Sequence, residues 1–323
     1  MQKTTDLARR KVLVGLAGSL ALPALAQSDK PVRFILPNAT GSGVDTIARS
    51  SQNALAKALG RPVIIDNQPG AGGILGLQAL ARSPADGNTL GIVSNNVVIF
   101  PSVLKSVPFD MPGDFTPIAV VGFTPVVLVV NAKVPARDAK EFIALLKAKN
   151  GDMTYASGGN GTILHLASAM FLDEAKVSAR HIPYKGVGPM LSDLIGGQVD
   201  FATAALPSVQ GHLKSGALRA IGITTAQRAA AAPEIPTFVE QGLPSYVVDA
   251  WFAVIGPKGL AAADVQRIHV ALVAAFADAE VKEAMSRQGN VISVGAADTA
   301  MSFFRSERTK YALLVKKAGV EAQ

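Results

Sequence analysis

Val32-Arg33-Phe34-Ile35-Leu36, then Pro37-Asn38-Ala39-Thr40-Gly41-Ser42-Gly43, then a stretch with apolar residues at 44, 47, 48, 55 and 59 read as strand, small-residue loop and amphipathic helix. Gly60 closes the helix in the manner of a C′ glycine. The plan recurs with Met153-Thr154-Tyr155-Ala156, the loop Ser157-Gly158-Gly159-Asn160-Gly161, and a helix from Thr162 to about Phe171. Small residues let backbone N–H groups approach a ligand, and a helix N-terminus adds unpaired donors and about half a positive charge. A tight turn capped by Ser, Thr or Asn explains either loop alone. Two such loops in different halves of the chain form a pair able to face each other, suited to a ligand with a carboxylate at each end.

Working outward, Val63 to Ile65, Thr89 to Val93, Ala179 to Ile182, Val199 to Ala204, Ala217 to Ile223 and Trp251 to Ile255 read as strands. Ile74–Ala81, Ala139–Lys149, Gly188–Ile195 and Leu206–Lys214 read as helices between them, and Val126–Val130 as a buried strand or crossover. Such alternation predicts an α/β fold with mostly parallel sheets. After 250 the chain offers helices at about 262–276, 278–287 and 299–318 but too few strands for a sheet of its own. It is therefore expected to return to the first domain, giving domain I at 27–127 plus 248–323 and domain II at 128–247. Two hinge crossings, near 127 and 247, make this the two-domain plan of a type II periplasmic binding protein, or Venus flytrap.

The first 26 residues read as an export signal. Lys3, Arg9, Arg10 and Lys11 precede the apolar run Val12–Leu25, which ends at Ala24-Leu25-Ala26. The run is shorter than the roughly 20 residues of a membrane span, and Arg9-Arg10 leaves both the general and the twin-arginine routes open. The periplasm is the expected address. The leader carries a net +3, which leaves the remaining 297 residues at +4 of the chain's +7. That mild charge, with no Lys/Arg run, gives no nucleic-acid signature, but it suits a small anion.

Composition narrows the chemistry. The chain of 323 residues contains no Cys, so disulfides, thiolate metal sites and a Cys nucleophile are excluded. Its four histidines (165, 181, 212 and 269) do not form a metal-ligand spacing, so neither metal nor cofactor is expected. Gly70-Ala71-Gly72-Gly73-Ile74-Leu75-Gly76 has the spacing G-x-G-x-x-x-G, and no acidic residue ends a strand about 20 residues later, so it is not a dinucleotide fingerprint. No nucleophile elbow, P-loop or H-E-x-x-H is present. Asp45 and His165, in first helical turns, read as structural groups, His181 as packed, and Trp251 as core.

Several strings, in order from about 30 to 260, resemble the Bug-type solute receptors of tripartite tricarboxylate transporters. Asn67-Gln68-Pro69-Gly70-Ala71-Gly72-Gly73 is similar to their N-R-P-G-A-G-G. Ala85-Asp86-Gly87-Asn88-Thr89-Leu90 is similar to P-D-G-Y-T-L. Tyr155 to Gly161 with His165-Leu166-Ala167 is similar to Y-A-S-x-G-x-G…H-L-A. His181-Ile182-Pro183-Tyr184-Lys185-Gly186 resembles H-[VI]-P-Y-K-G. Leu194 to Asp200 resembles D-L-x-x-G-x-V-D, and Pro236-Thr237 with Glu240-Gln241-Gly242 resembles P-T-x-x-E-x-G. The resemblance implies a periplasmic receptor that hands a small mono- or dicarboxylate to inner-membrane permease subunits, with no catalytic residues; a monomer is the default expectation for a receptor that must close. It implies Asn38, Ala39, Thr40, Gly41, Ser42 and Gly43 as one jaw, and Ser157, Gly158, Gly159, Asn160 and Thr162 as the other. Thr203 and Ala204 would line the cleft, with Asn95 reaching in. The family's first loop usually reads P-P-G-G; here Asn38 and Thr40 stand in it. Two alternatives remain open: a receptor that presents its ligand to a sensor kinase, and a periplasmic hydrolase or isomerase with His165 as base.

Overall fold

The computed structural model describes residues 30–320 and 322; the expected export signal at 1–26 lies outside them. Its strands are β1 (Val32–Leu36), β2 (Val63–Asn67), β3 (Thr89–Ser94), β4 (Phe115–Asn131), β5 (Thr154–Ser157), β6 (Arg180–Pro183), β7 (Phe201–Ala205), β8 (Leu218–Ile223), β9 (Asp249–Pro257) and β10 (Val291–Ile292). The helices are α1 (Gly43–Leu59), α2 (Ile74–Ala81), α3 (Asn96–Val103), α4 (Ala139–Lys149), α5 (Ile163–Ala175), α6 (Val187–Gly196), α7 (Leu206–Lys214), α8 (Ala262–Ala277), α9 (Ala279–Arg287) and α10 (Ala297–Lys317). None of the described helices is long and apolar enough to cross a membrane.

The strands follow the order β2-β1-β3-β9-β4-β7-β5-β6, with β8 and β10 also paired to β4. Pairing is parallel within each β/α half, as the alternation predicts: β1 with β2 and β3, and β5 with β6 and β7. It is antiparallel wherever β4 or β9 takes part, so the sheet as a whole is mixed. Strands inside the parallel halves are buried on both faces, which is why Phe34, Ile35 and Leu36 are all apolar.

β4 is the spine of the molecule. Phe115 to Pro125 pairs with β9, and from Val126 onward the same strand pairs with β7 and β8. The sequence reading found only its second half, because Pro117, Gly122 and Pro125 interrupt the first. Register shifts fall beside Pro117 and Gly122, where bulging accommodates residues that break a regular ladder. The chain returns at Thr224–Val248. There the Thr224 amide donates to the Val126 carbonyl at 2.9 Å and the Val248 amide donates to the Thr224 carbonyl at 3.0 Å. The buried Thr224 hydroxyl faces two carbonyls, Val248 at 2.6 Å and Val126 at 3.1 Å, so one side chain ties β4 to the returning chain. Helix α3 was also missed: it is apolar all round and carries Pro101, so it has no amphipathic period.

Candidate ligand cleft

Four helix N-termini converge on one cleft between the halves. Those of α1, α5, α6 and α7 contribute Gly43 and Val44, Ile163 and Leu164, Gly186 and Val187, and Ala205 and Ser208 to a space of about 770 Å³, part of it open to solvent. Each N-terminus brings amides without intrahelical partners and a partial positive charge. Lys185 carries the one charge among the described lining residues. The floor is Thr124 and Val126, where β4 changes sheets, with Ala250 and Trp251 of β9 beside them.

The first loop is held in shape by Asp45. Its carboxylate accepts from the Gly41 amide at 2.9 Å, Arg49 Nε at 2.9 Å and Asn67 Nδ2 at 2.9 Å. Ser42 caps α1 by accepting from the Asp45 amide at 3.3 Å. Asn38, Ala39, Ser42 and Gly43 line the cleft; Thr40 and Gly41 are outside its lining.

The second loop is anchored from behind. The buried Ser157 hydroxyl accepts from the Gly159 amide at 3.2 Å and pairs with His181 Nε2 at 2.7 Å. His165 Nδ1 accepts from the Gly161 amide at 3.2 Å, so its proton sits on Nε2. The two imidazoles stack with centroids 3.9 Å apart and 5° between planes, and Tyr155 stacks on His181 at 4.8 Å. Burial lowers the His165 pKa to about 4. Burial, with the second imidazole adding to it, lowers that of His181 to about 3. Both rings are therefore neutral at physiological pH. Neither lines the cleft, so His165 is not placed as a base toward a cleft-bound substrate.

Of the second-jaw residues, Gly158 and Thr162 line the cleft, whereas Ser157, Gly159 and Asn160 do not. Thr162 Oγ1 donates to the Gly159 carbonyl at 2.8 Å and caps α5 at the His165 amide, 3.3 Å away. Three sequence assignments point elsewhere. The Asn95 side chain is fully buried: Nδ2 donates to the Asp249 carbonyl at 3.1 Å and contacts the Tyr311 hydroxyl, while Oδ1 accepts from the Trp251 amide at 2.9 Å. It braces β9, and its neighbours Ser94 and Asn96 reach the cleft instead. Thr203 is fully buried and donates to the Leu164 carbonyl at 2.6 Å. Ala204 is buried too, and Ala205, one residue on, lines the cleft. Strand alternation separates Ala204 from Ala205, because adjacent residues face opposite sides, whereas Asn95 lies past the end of β3 at the N-cap of α3. Trp251 is core, as expected, with Nε1 donating to Glu307 Oε2 at 2.7 Å, yet one part of it forms the floor.

The halves touch across the cleft at glycines. A Cβ on Gly43 would stand 2.8 Å from the Ala205 Cβ, and one on Gly186 would stand 2.7 Å from the Ala39 Cβ. Asn96 Oδ1 accepts from the Ile163 amide at 2.8 Å, capping α5 from the other half. The sequence reading gave no site role to the Gly70–Gly73 loop or to Lys185-Gly186-Val187. The usable signal was the Tyr184-Lys185-Gly186 turn before α6, a third strand-loop-helix junction.

The family model of the tripartite tricarboxylate transporter family receptor matches residues 47–320. A UPF0065 protein in the tcbD-tcbE intergenic region of Pseudomonas sp. strain P51 is 33% identical, covering 97% of this chain and 96% of its own length. Protein BugT of Bordetella pertussis is 33% identical, with 99% of each chain covered. The solved structure of periplasmic binding protein BugD superposes with a TM-score of 0.87 at 29% identity, covering 91% of this chain and 99% of that one. MatC from Rhodopseudomonas palustris with bound malate gives 0.81 at 27%, covering 88% and 98%. An R. palustris protein with adipate gives 0.88 at 26%, covering 92% and 100%. The curled α/β sheet, the cleft of helix N-termini and these matches lead to one conclusion: the chain belongs to the tripartite tricarboxylate transporter receptor family.

Proposed function

We propose that the protein is a periplasmic receptor that captures a small carboxylate in the cleft and delivers it to the permease subunits of a tripartite tricarboxylate transporter. The observation that carries this reading is the electrostatics of the cleft. Four helix N-termini and Lys185 meet there, and no carboxylate is among the described lining residues. An anion is the ligand such a wall favours. The solved relatives with malate and adipate support carboxylate as the class. Residues 1–26 act as the export signal in this reading. Domain I (27–127 plus 248–323) and domain II (128–247) close on the ligand about Pro125–Val126 and Thr224–Val248, and binding shifts an open/closed equilibrium. No turnover accompanies capture.

A thermal-shift screen of residues 27–323 against C3–C8 mono- and dicarboxylates, citrate, acidic amino acids and aromatic acids tests the class. A ligand at 100 times its Kd adds about 2.7 kcal/mol of stability. A responder recovered chemically unchanged supports capture without turnover. A flat panel, with no acid released on denaturing the protein, refutes the reading. Loss of uptake in a deletion strain tests the permease partnership.

A further inference from the structure

The cleft contains hydrogen-bonding capacity that a carboxylate alone does not use. Asn38 Oδ1, Thr124 Oγ1 and Ser208 Oγ all belong to residues on its wall, and each is closed off from solvent without a hydrogen-bond partner. They come from three separate elements: the β1–α1 loop, the floor strand β4 and helix α7. Thr124 is only 5% exposed, so bulk water does not satisfy its hydroxyl. Buried polar groups in folded proteins find partners, and the common place of these three is the cleft.

Their chemistry differs. The Thr124 and Ser208 hydroxyls can donate to a carboxylate, as can Lys185 and the free amides of the helix N-termini. Asn38 Oδ1 only accepts. A carboxylate is acceptor-only as well, so placing one against Asn38 Oδ1 sets two acceptors together. The protein's own adjacent donor is already engaged: Asn67 Nδ2 donates to the Asn38 carbonyl at 3.0 Å and to Asp45 Oδ1 at 2.9 Å. The group that Asn38 Oδ1 fits is an O–H or N–H on the ligand. Val44, Val126, Ile163, Leu164 and Trp251 add apolar surface to the same wall.

We infer that the ligand is a small carboxylate bearing a hydrogen-bond donor, a hydroxyl or an N–H, and that Asn38 selects for that donor. This rests on the carboxylate-receptor reading above. A site built to pair a polar group discriminates strongly against the analogue that lacks it.

Calorimetry on the dialysed protein with matched acids tests the inference: succinate against malate, glutarate against 2-hydroxyglutarate, and 3-phenylpropionate against 3-phenyllactate. In the pair that binds, the donor-bearing acid is expected to bind tenfold tighter or more. Asn38→Leu keeps the branching and removes the acceptor, and should bring that ratio to about one or invert it. Asn38→Ala serves if the leucine variant has a lowered Tm. Equal affinities within every binding pair, or a ratio unchanged in both variants, overturn the inference and leave the carboxylate reading standing. No binding by any acid overturns both.

Discussion

Gly43→Ala separates closure of the cleft from stability of the fold. Gly43 is the first residue of α1, and its added Cβ would lie 2.8 Å from the Ala205 Cβ across the cleft. Ordinary carbon–carbon contact is about 3.5–4.0 Å, so the overlap approaches 1 Å. Overpacking of this kind costs about 1–3 kcal/mol. In the closure proposed above only the closed state carries that cost, so the Kd of the identified ligand should rise about 5- to 150-fold. The amide that lines the cleft is retained, and the open protein has no clash, so its Tm should hold or rise slightly. Calorimetry gives the affinity, and small-angle scattering with and without ligand gives the closure. The contact is a single Cβ pair, so Gly43→Ala/Ala205→Gly should recover most of the affinity, a coupling that a double-mutant cycle measures. Unchanged affinity in the single variant, or no recovery in the double, would refute the reasoning.

Other perturbations follow from the same geometry. The depressed pKa values of His165 and His181 mean that the unfolded chain binds more protons than the folded one below the usual histidine pKa of 6.5. Stability should therefore be full above pH 6.5 and fall as the pH drops toward 4, by up to about 3 kcal/mol per ring. Urea melts across this range check it, and a curve that rises toward acid contradicts it. Thr224→Val keeps the volume and removes the hydroxyl that ties β4 to the returning chain; chemical denaturation should show a loss of about 1–3 kcal/mol. Asn96→Ala removes the cross-cleft cap on the Ile163 amide, and ligand affinity should fall about 2- to 10-fold, consistent with roughly 0.5–1.5 kcal/mol for one hydrogen bond. A wild-type Kd in that variant would show that the contact does not bias closure.

The sequence by itself determined the elements whose period is local. The stripe of α1 ended at Leu59, and the ranges read for α2, α4 and α7 coincide with the helices of the fold, because helical spacing depends on neighbours a few residues away. It also determined the strand-loop-helix plan of both jaws, since small residues before a helix are visible in one dimension. The first half of β4 and the whole of α3 were not legible. Both are buried on every side, so neither shows a period, and prolines lie within both. In the cleft, the types of residue were legible but their directions were not. Asn95 against Asn96, and Ala204 against Ala205, differ by one position, and the side each takes is set by strand pairing and helix entry far away in the chain. The tertiary structure alone decided that Ser157 is held by His181 from behind, that Gly43 meets Ala205, and that Asn38, Thr124 and Ser208 share one wall. Pairing of β5 with β6 brings His181 to Ser157, and packing the two halves against each other brings the other residues within reach.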